Sequence, residues 1–204
     1  MDSPKSAGTR INRRLRWREA FRVDSRYWAF CRVGGMCLLL AASAQFCLRL
    51  PGTDVPLTLQ SLVILMIGFS LSPREAGATI AGYIAGGSAG LPFFAPGSLG
   101  LAGPTGGYII GFLVAAWLVS VLKGQRTATV GRLLAAACAG TAVLFMCGIA
   151  WRVVWFWSVD PRLAVPSGGI AFMVPALLKL AVAVSLVVAV RGLSGKKNGY
   201  SGDA

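Results

Sequence analysis

One charged residue lies deep inside an apolar segment of the sequence, where it is well placed to do chemistry. Lys179 is the only ionisable residue in the apolar run Ile170–Val190, eight residues past Ala171, which is about 12 Å along a helix. A lysine at such a depth is costly, so it normally faces a cavity and a partner. No Asp or Glu lies within any apolar run, so we expect an anionic ligand to supply that partner. The alternative is an ammonium that binds backbone carbonyls or reaches outward.

The lack of histidine and of paired cysteines excludes most kinds of catalytic and metal site. The chain has 204 residues and no His, which removes His-based acid–base catalysis, His metal ligands and Ser-His-Asp triads. The five cysteines form no CxxC pair and all lie in apolar runs, so we interpret them as small buried hydrophobes. We therefore expect no catalytic residue, no metal ligand and no cofactor.

Composition identifies the elements that must position Lys179. Apolar residues make up 55% of the chain and charged residues 13%, and mean hydropathy is +0.67, whereas soluble domains are about a quarter charged. We find six apolar runs, each able to cross or nearly cross a hydrocarbon core of about 30 Å. The second and third are short, so we expect tilting or fusion to ordered loops. The runs are Tyr27–Leu48, Leu57–Leu71, Ala76–Leu91, Pro104–Leu122, Leu133–Trp157 and Ile170–Val190. They predict an all-α integral membrane protein with six transmembrane helices.

The net charge of +13 sets the orientation of these helices. Of the twenty Lys and Arg residues, sixteen fall on one side of the predicted bundle and only Arg49 and Arg162 on the other. This is a strong positive-inside pattern, and it predicts that both termini are cytoplasmic. No aromatic-basic sheet motif or DNA-binding helix pattern accompanies the charge, so we expect no nucleic-acid partner.

The same pattern divides the chain into three parts. Residues 1–27 are a basic cytoplasmic N-terminal extension, 28–191 a six-helix membrane domain and 192–204 a short cytoplasmic tail. Apolar residues on one face of the extension suit either a helix lying on anionic lipid or a solvated tail. In the third run, two stripes of Gly and Ala at i+4 spacing favour close helix packing. The neighbour is either within this chain or in another membrane subunit.

Two segments opposite the main positive charge have the composition of ligand-lining loops. They are Leu50–Gln60 and Leu91–Tyr108, and the second has no charge but many Gly, Pro and aromatic residues. Irregular backbone at membrane depth must find its partners inside the protein, and Gly-rich turns let main-chain amides approach a ligand. Together with Lys179, they predict an outward cavity for a small, partly apolar organic acid. Arg152, among three Trp residues in 151–157, is interpreted as interfacial, with a second ligand contact as the alternative.

The chain also lacks any means of driving uphill transport. It has no GxxxxGK[ST] loop and no carboxylate relay for proton coupling. We therefore interpret it as a substrate-capturing transporter subunit with an energised partner. A membrane enzyme is the alternative, although no acid–base pair supports it.

Four motifs, in this order, resemble the BioY family of biotin-binding S components of energy-coupling factor (ECF) transporters. The motifs are VPLTLQ at 55–60, LSPR at 71–74, GLPFFA at 90–95 and GPTGGY at 103–108. The resemblance runs from about residue 33 to 190. It implies the six-helix S-component fold in a bacterial inner membrane and high-affinity capture of biotin. It also implies import with a membrane-embedded coupling T protein and two ATPase subunits. An S component for another small carboxylate vitamin is the alternative.

The resemblance also implies roles for particular residues. Lys179 matches the family lysine that helps to bind the biotin carboxylate, but Ala176 stands where the family usually has an acidic residue. Pro96 stands where Asn or Gly is common, with Ser98 nearby as a substitute hydrogen-bonding group. We expect polar side chains and Gly-rich backbone to meet the ureido ring and aromatic side chains to form apolar walls. The predicted substrate-binding residues are Lys179, Gln60, Thr58, Phe94, Ser98, Thr105, Gly106, Tyr108 and Trp151.

Overall fold

The computed structural model describes residues 25–48, 55–125, 128–155, 169 and 172–199, and this part of the chain is mostly helical. Its long helices are α1 Ser25–Gln45, α2 Gln60–Ser70, α3 Pro73–Ser88, α4 Gly106–Leu122, α5 Val130–Trp155 and α6 Met173–Gly199. Strands β1 (Cys47–Leu48) and β2 (Leu57–Thr58) pair antiparallel, with Cys47 opposite Thr58. The predicted N-terminal extension up to residue 24 lies outside the described residues.

Three of the described helices have the length and hydropathy to cross a membrane. They are Tyr27–Gln45, Val130–Trp155 and Met173–Gly192, while α2 and α4 are shorter apolar helices. The helix in the second predicted run is shorter than the run, because Leu57 and Thr58 belong to β2. This agrees with the expectation that a short run is fused to an ordered segment. Helix α2 therefore has only 11 residues and a length of about 16 Å.

Helix α4 lies at the centre of the bundle and packs against α2, α3 and α5. Its contact with α5 depends on Gly107, where an added Cβ would lie 2.1 Å from the Trp151 Cβ and 2.5 Å from the Cys147 carbonyl oxygen. Backbone cannot move aside as a flexible side chain can, so this crossing requires glycine. Small residues commonly permit such close approach between membrane helices.

Buried side chains form two cores along the bundle. The first, which we name the cavity core, includes Leu40, Ile64, Ile80, Tyr83 and Phe112. The second, the basic-end core, includes Leu65, Phe69, Val119, Leu133 and Leu180. Consecutive residues of α2 contribute to both cores, so this short helix links the two halves of the molecule.

The basic end is held together by cations that bind helix termini. Arg32 pairs with Glu75, whose carboxylate also caps the start of α3 by accepting from the Ser72 N–H at 3.0 Å. Lys123 donates to the carbonyl oxygens of Gly68, at 3.0 Å, and Leu71. The Arg32 guanidinium lowers the pKa of Glu75 to about 2. Several of the bases that predict topology therefore also fix helix ends.

The small-residue stripes of α3 are only partly used within the chain. Gly86 accommodates the Phe93 ring, and an added Cβ at Gly82 would lie 3.9 Å from the Cys37 sulfur of α1. An added Cβ at Gly77 would have nothing within 4 Å, and Ala81 and Ala85 are exposed. Much of both stripes therefore remains accessible on the surface of the described chain.

Candidate ligand-binding site

A cavity of about 100 Å³ lies among α2 to α6 and the segment between α3 and α4. It brings together seven of the nine predicted site residues from four separate parts of the chain. These seven are Thr58, Gln60, Phe94, Ser98, Thr105, Tyr108 and Lys179. The other two, Gly106 and Trp151, do not belong to its lining.

Lys179 projects from α6 to the start of α2. Its ammonium donates to the Thr58 carbonyl oxygen at 2.6 Å and to the Ser61 hydroxyl at 3.3 Å. The sequence left open whether Lys179 binds a backbone carbonyl or a ligand. In the structure Lys179 binds a backbone carbonyl and also lines the cavity. Among the described lining residues Lys179 is the one cation, and none is Asp or Glu. Both of its acceptors are neutral, so its charge is not neutralised by them.

A chain of hydrogen bonds continues from Thr58 into the cavity wall. The Thr58 hydroxyl donates to Gln60 Oε1 at 3.0 Å, and Gln60 Nε2 donates to the Tyr83 hydroxyl at 2.6 Å. Gln60 and Tyr83 are both buried, and buried polar groups of this kind are normally satisfied. Lys179 and Tyr83 are thus linked through Thr58 and Gln60.

Aromatic rings form the apolar wall around this chain. Tyr83 stacks on Phe93, with ring centroids 6.1 Å apart, and meets Phe94 edge-on at 5.5 Å. The Phe94 segment is held by Gln45, whose Nε2 donates to the Pro92 carbonyl oxygen at 2.8 Å. Gly100 has a positive φ of 59°, and an added Cβ there would lie 2.7 Å from the Phe94 ring. The Gly-rich segment therefore folds tightly around its own aromatic residue.

Gly106 and Trp151 position the lining without belonging to it. The Trp151 Nε1–H donates to the Gly103 carbonyl oxygen at 3.0 Å. Its ring lies so close to Gly106 that an added Cβ there would be 3.1 Å from it. Glycines that admit a neighbouring side chain look the same in sequence as glycines that admit a ligand. The GPTGGY motif therefore serves packing at Gly106 and Gly107, while Thr105 and Tyr108 line the cavity.

Arg152 is placed differently from its predicted interfacial position. Its side chain is 1% exposed within the described chain, and it does not line the cavity. Trp155, one turn farther along α5, is 43% exposed and retains an outward position. Arg152 is therefore a residue of the protein interior.

Sequence reasoning missed three polar residues of the described lining, Ser61, Tyr83 and Thr141. Tyr83 carried a signal, because it is the only aromatic residue of the run Ala76–Leu91. Ala176 also lines the cavity. The position that is usually acidic in the family that this sequence resembles is therefore part of the cavity lining. Within the described part of the chain, no cluster of three His, Cys, Asp or Glu residues could hold a metal ion.

Comparison with known proteins agrees with this architecture. A sequence model of the BioY family matches residues 18–196. The probable biotin transporter BioY of Rickettsia prowazekii is 31% identical over 162 residues, which cover 78% of this chain and 81% of that protein. The biotin transporter BioY of Thermotoga maritima is 30% identical over 149 residues, which cover 72% and 86%.

A solved structure shares the fold. The crystal structure at 2.1 Å of the S-component for biotin from an ECF-type ABC transporter superposes with a TM-score of 0.73. It is 20% identical in sequence, and the match covers 84% of this chain and 95% of that chain. With the fold shared and the family pattern spanning nearly the whole chain, this protein belongs to the BioY family.

Proposed function

We propose that this protein is the high-affinity biotin-capturing S component of an ECF-type vitamin uptake transporter, and not an enzyme. The observation that carries the proposal is that the described lining of the cavity holds a single cation, Lys179, among neutral and largely apolar side chains. Such a site suits one small organic acid with an apolar body. Family membership supports biotin as that acid, because the relatives described above are named biotin transporters.

The biotin carboxylate pairs with Lys179 in this proposal. The ammonium lies at the beginning of α2, beside Thr58 and Ser61, where the helix dipole favours an anion and disfavours a cation. A carboxylate placed there gains from both the ammonium and the partial positive charge at the start of α2. It would replace the neutral Thr58 carbonyl as the main partner of Lys179.

The ureido ring and the apolar parts of biotin occupy the rest of the cavity. Gln60, Ser98 and Thr105 supply neutral hydrogen-bonding groups, while Phe94 and Tyr108 supply apolar surface. Gly106 and Trp151 contribute indirectly, by fixing the start of α4 through the Gly103 carbonyl. Because no acidic side chain occupies position 176, Lys179 depends on the ligand for a counter-charge.

Titration of the purified protein with biotin tests this proposal. We expect binding tighter than micromolar and biotin as the copurifying ligand detected by mass spectrometry. Binding at micromolar concentration or weaker contradicts high-affinity capture. Copurification of a different carboxylate vitamin assigns the site to that vitamin instead.

We further propose six membrane crossings with both termini in the cytoplasm of a bacterium. The asymmetry of Lys and Arg residues supports this arrangement. Reporter fusions after Gly124 and at the two termini should all give the cytoplasmic signal. A fusion after Gly97 should give the opposite signal, and a cytoplasmic signal there would contradict the topology.

The energised partners are a coupling T protein and two ATPase subunits. The absence of a phosphate-binding loop in this chain supports an external ATPase, and the exposed small residues of α3 support contact with another membrane helix. Biotin uptake in a strain without its own transporter should require coexpression of the module with active ATPases. Equal uptake without the module would refute this part of the proposal.

A further inference from the structure

Tyr83 is a fully buried polar residue of the cavity wall, held by ring contacts and by a hydrogen bond. Its side chain is 0% exposed and contacts the rings of Phe93, Phe94 and Phe112 at centroid distances of 6.1, 5.5 and 6.4 Å. Gln60 fixes its hydroxyl with a 2.6 Å hydrogen bond. The hydroxyl therefore has a set position and does not adapt to its surroundings as a serine hydroxyl does.

The direction of the hydrogen bonds determines what this hydroxyl offers. The Thr58 hydroxyl accepts from the Gln60 backbone N–H at 3.4 Å and donates its single hydrogen to Gln60 Oε1 at 3.0 Å. This fixes the amide with Nε2 toward Tyr83, whose oxygen accepts. A phenol has one hydrogen to give, and accepting from Gln60 leaves that hydrogen for another group. Tyr83 is thus a preset donor in the cavity lining.

The two ends of the chain Lys179–Thr58–Gln60–Tyr83 offer donors of different character. Lys179 offers a charged donor, and Tyr83 offers a neutral one with three aromatic rings around it. A ligand that satisfies both carries an anionic oxygen at one end and a neutral acceptor, such as a carbonyl oxygen, at the other. The cyclic urea of biotin has such a carbonyl.

We propose that Tyr83 is a specificity-determining residue that donates its hydroxyl hydrogen to the ring carbonyl of the ligand, a role that rests on the proposed biotin function. Buried donors of this kind discriminate strongly, because a ligand that lacks the acceptor leaves them unsatisfied. Tyr83 thereby selects ligands with a carbonyl acceptor, while Lys179 selects the carboxylate.

Biotin and 2-iminobiotin distinguish these roles. In 2-iminobiotin the ring carbonyl is replaced by an imino group that is protonated at neutral pH and can only donate, while the carboxylate is unchanged. We expect wild type to prefer biotin. Tyr83→Phe should weaken biotin binding about tenfold and change 2-iminobiotin binding less than twofold, so the preference falls about tenfold. Equal losses for both ligands, or no loss for either, would overturn the proposal.

Two further variants keep this test decisive. Tyr27→Phe removes the same atom from a tyrosine that is 63% exposed and should leave both affinities unchanged. Tyr83→Phe combined with Gln60→Leu removes donor and acceptor together, which avoids an unsatisfied amide. Because Gln60 also lines the cavity, both affinities should fall, and the preference for biotin should fall at least as far as in Tyr83→Phe alone. If wild type does not bind biotin, the proposed function fails and this inference with it. If wild type binds biotin but the Tyr83 variants keep full preference, only this inference fails.

Discussion

Two lysines bind the two ends of the same short helix, and they illustrate the difference between a structural and a ligand-directed cation. Lys123 donates to the carbonyl oxygens of Gly68, at 3.0 Å, and Leu71 at the end of α2. Lys179 donates to the Thr58 carbonyl at 2.6 Å and the Ser61 hydroxyl at the beginning of that helix. Both ammonium groups are half-buried and both have neutral oxygen partners.

The two positions differ in the field and in the space around the charge. At its carboxyl end a helix carries partial negative charge, which favours Lys123, while at its amino end it carries partial positive charge, which opposes Lys179. Lys179 also lines the cavity described above, whereas Lys123 is not among its lining residues. Lys123 therefore stabilises the folded chain without a ligand. Lys179 is placed where an incoming anion would relieve an unfavourable interaction.

The largest expected effect separates the two lysines by their contribution to binding. Lys179→Met should weaken biotin binding about a hundredfold, because the ligand carboxylate loses its charged partner in a desolvated site. Lys123→Met removes the same charge from the basic end and should change the dissociation constant less than twofold. Calorimetric titration of both variants measures this contrast, and comparable losses would remove the distinction between the two lysines.

The next largest expected effect is on stability, and it comes from a change in the packing of α4 against α5. Gly107→Ala places a Cβ against the Cys147 carbonyl and the Trp151 side chain, and should destabilise the protein by about 2 kcal/mol or more. Gly77→Ala enters open space and should be neutral or stabilise by about 0.5–1 kcal/mol. Thermal unfolding in detergent compares the two variants. Equal unfolding temperatures would contradict a close crossing of α4 and α5.

Of the two lysine variants, Lys179→Met should lose more affinity for biotin, whereas Lys123→Met should lose more stability. Lys123→Met leaves the last carbonyls of α2 without their charged donor and should cost about 1–2 kcal/mol. Lys179→Met removes a partly desolvated charge from the unfavourable end of the helix dipole, so it should not lower the unfolding temperature of the ligand-free protein. A larger loss of stability for Lys179→Met would show that this lysine is structural.

The ion pair at the basic end gives the smallest effect and a pH signature. Arg32 lowers the pKa of Glu75 from 4.5 to about 2, so the stability from this pair is complete above pH 4.5 and is lost as pH falls toward 2. Arg32→Gln should cost less than about 1 kcal/mol at neutral pH, because the pair is partly exposed. The difference between wild type and variant should shrink between pH 4.5 and 3, and unfolding temperatures at pH 6, 4 and 3 measure it. A difference that grows on acidification would contradict this assignment.

Part of the site could be predicted because its residues are unusual for their surroundings. Lys179 is conspicuous as the one charge in an apolar run, and a charge at that depth needs a partner. Thr58 and Gln60 could be predicted because they lie in a polar segment next to an apolar one. In the structure Lys179 binds the Thr58 carbonyl oxygen, and the Thr58 hydroxyl binds Gln60. Ser61 and Thr141 could not be assigned in this way, because their side chains occur equally in ordinary packed helices.

The fold was harder to predict where distant contacts decide the local structure. The run Leu57–Leu71 is predicted as one membrane segment, yet Leu57 and Thr58 pair with β1 and the helix begins only at Gln60. Arg152 resembled an interfacial residue because of the tryptophans around it, and its burial depends on how α5 packs. Trp151 and Gly106 have the composition of a ligand site and form a packing contact instead. In each case the sequence specifies the residue types, and tertiary packing decides their partners.

The role of Lys179 is tested most directly by comparing biotin with its primary amide, which keeps the ring system but has no carboxylate. If Lys179 binds the carboxylate, wild type should bind biotin about a hundredfold more tightly than the amide, and Lys179→Met should bind both with nearly equal affinity. Wild-type protein that binds the two ligands equally, or a Lys179→Met variant that retains the full preference, would contradict the pairing of Lys179 with the ligand carboxylate.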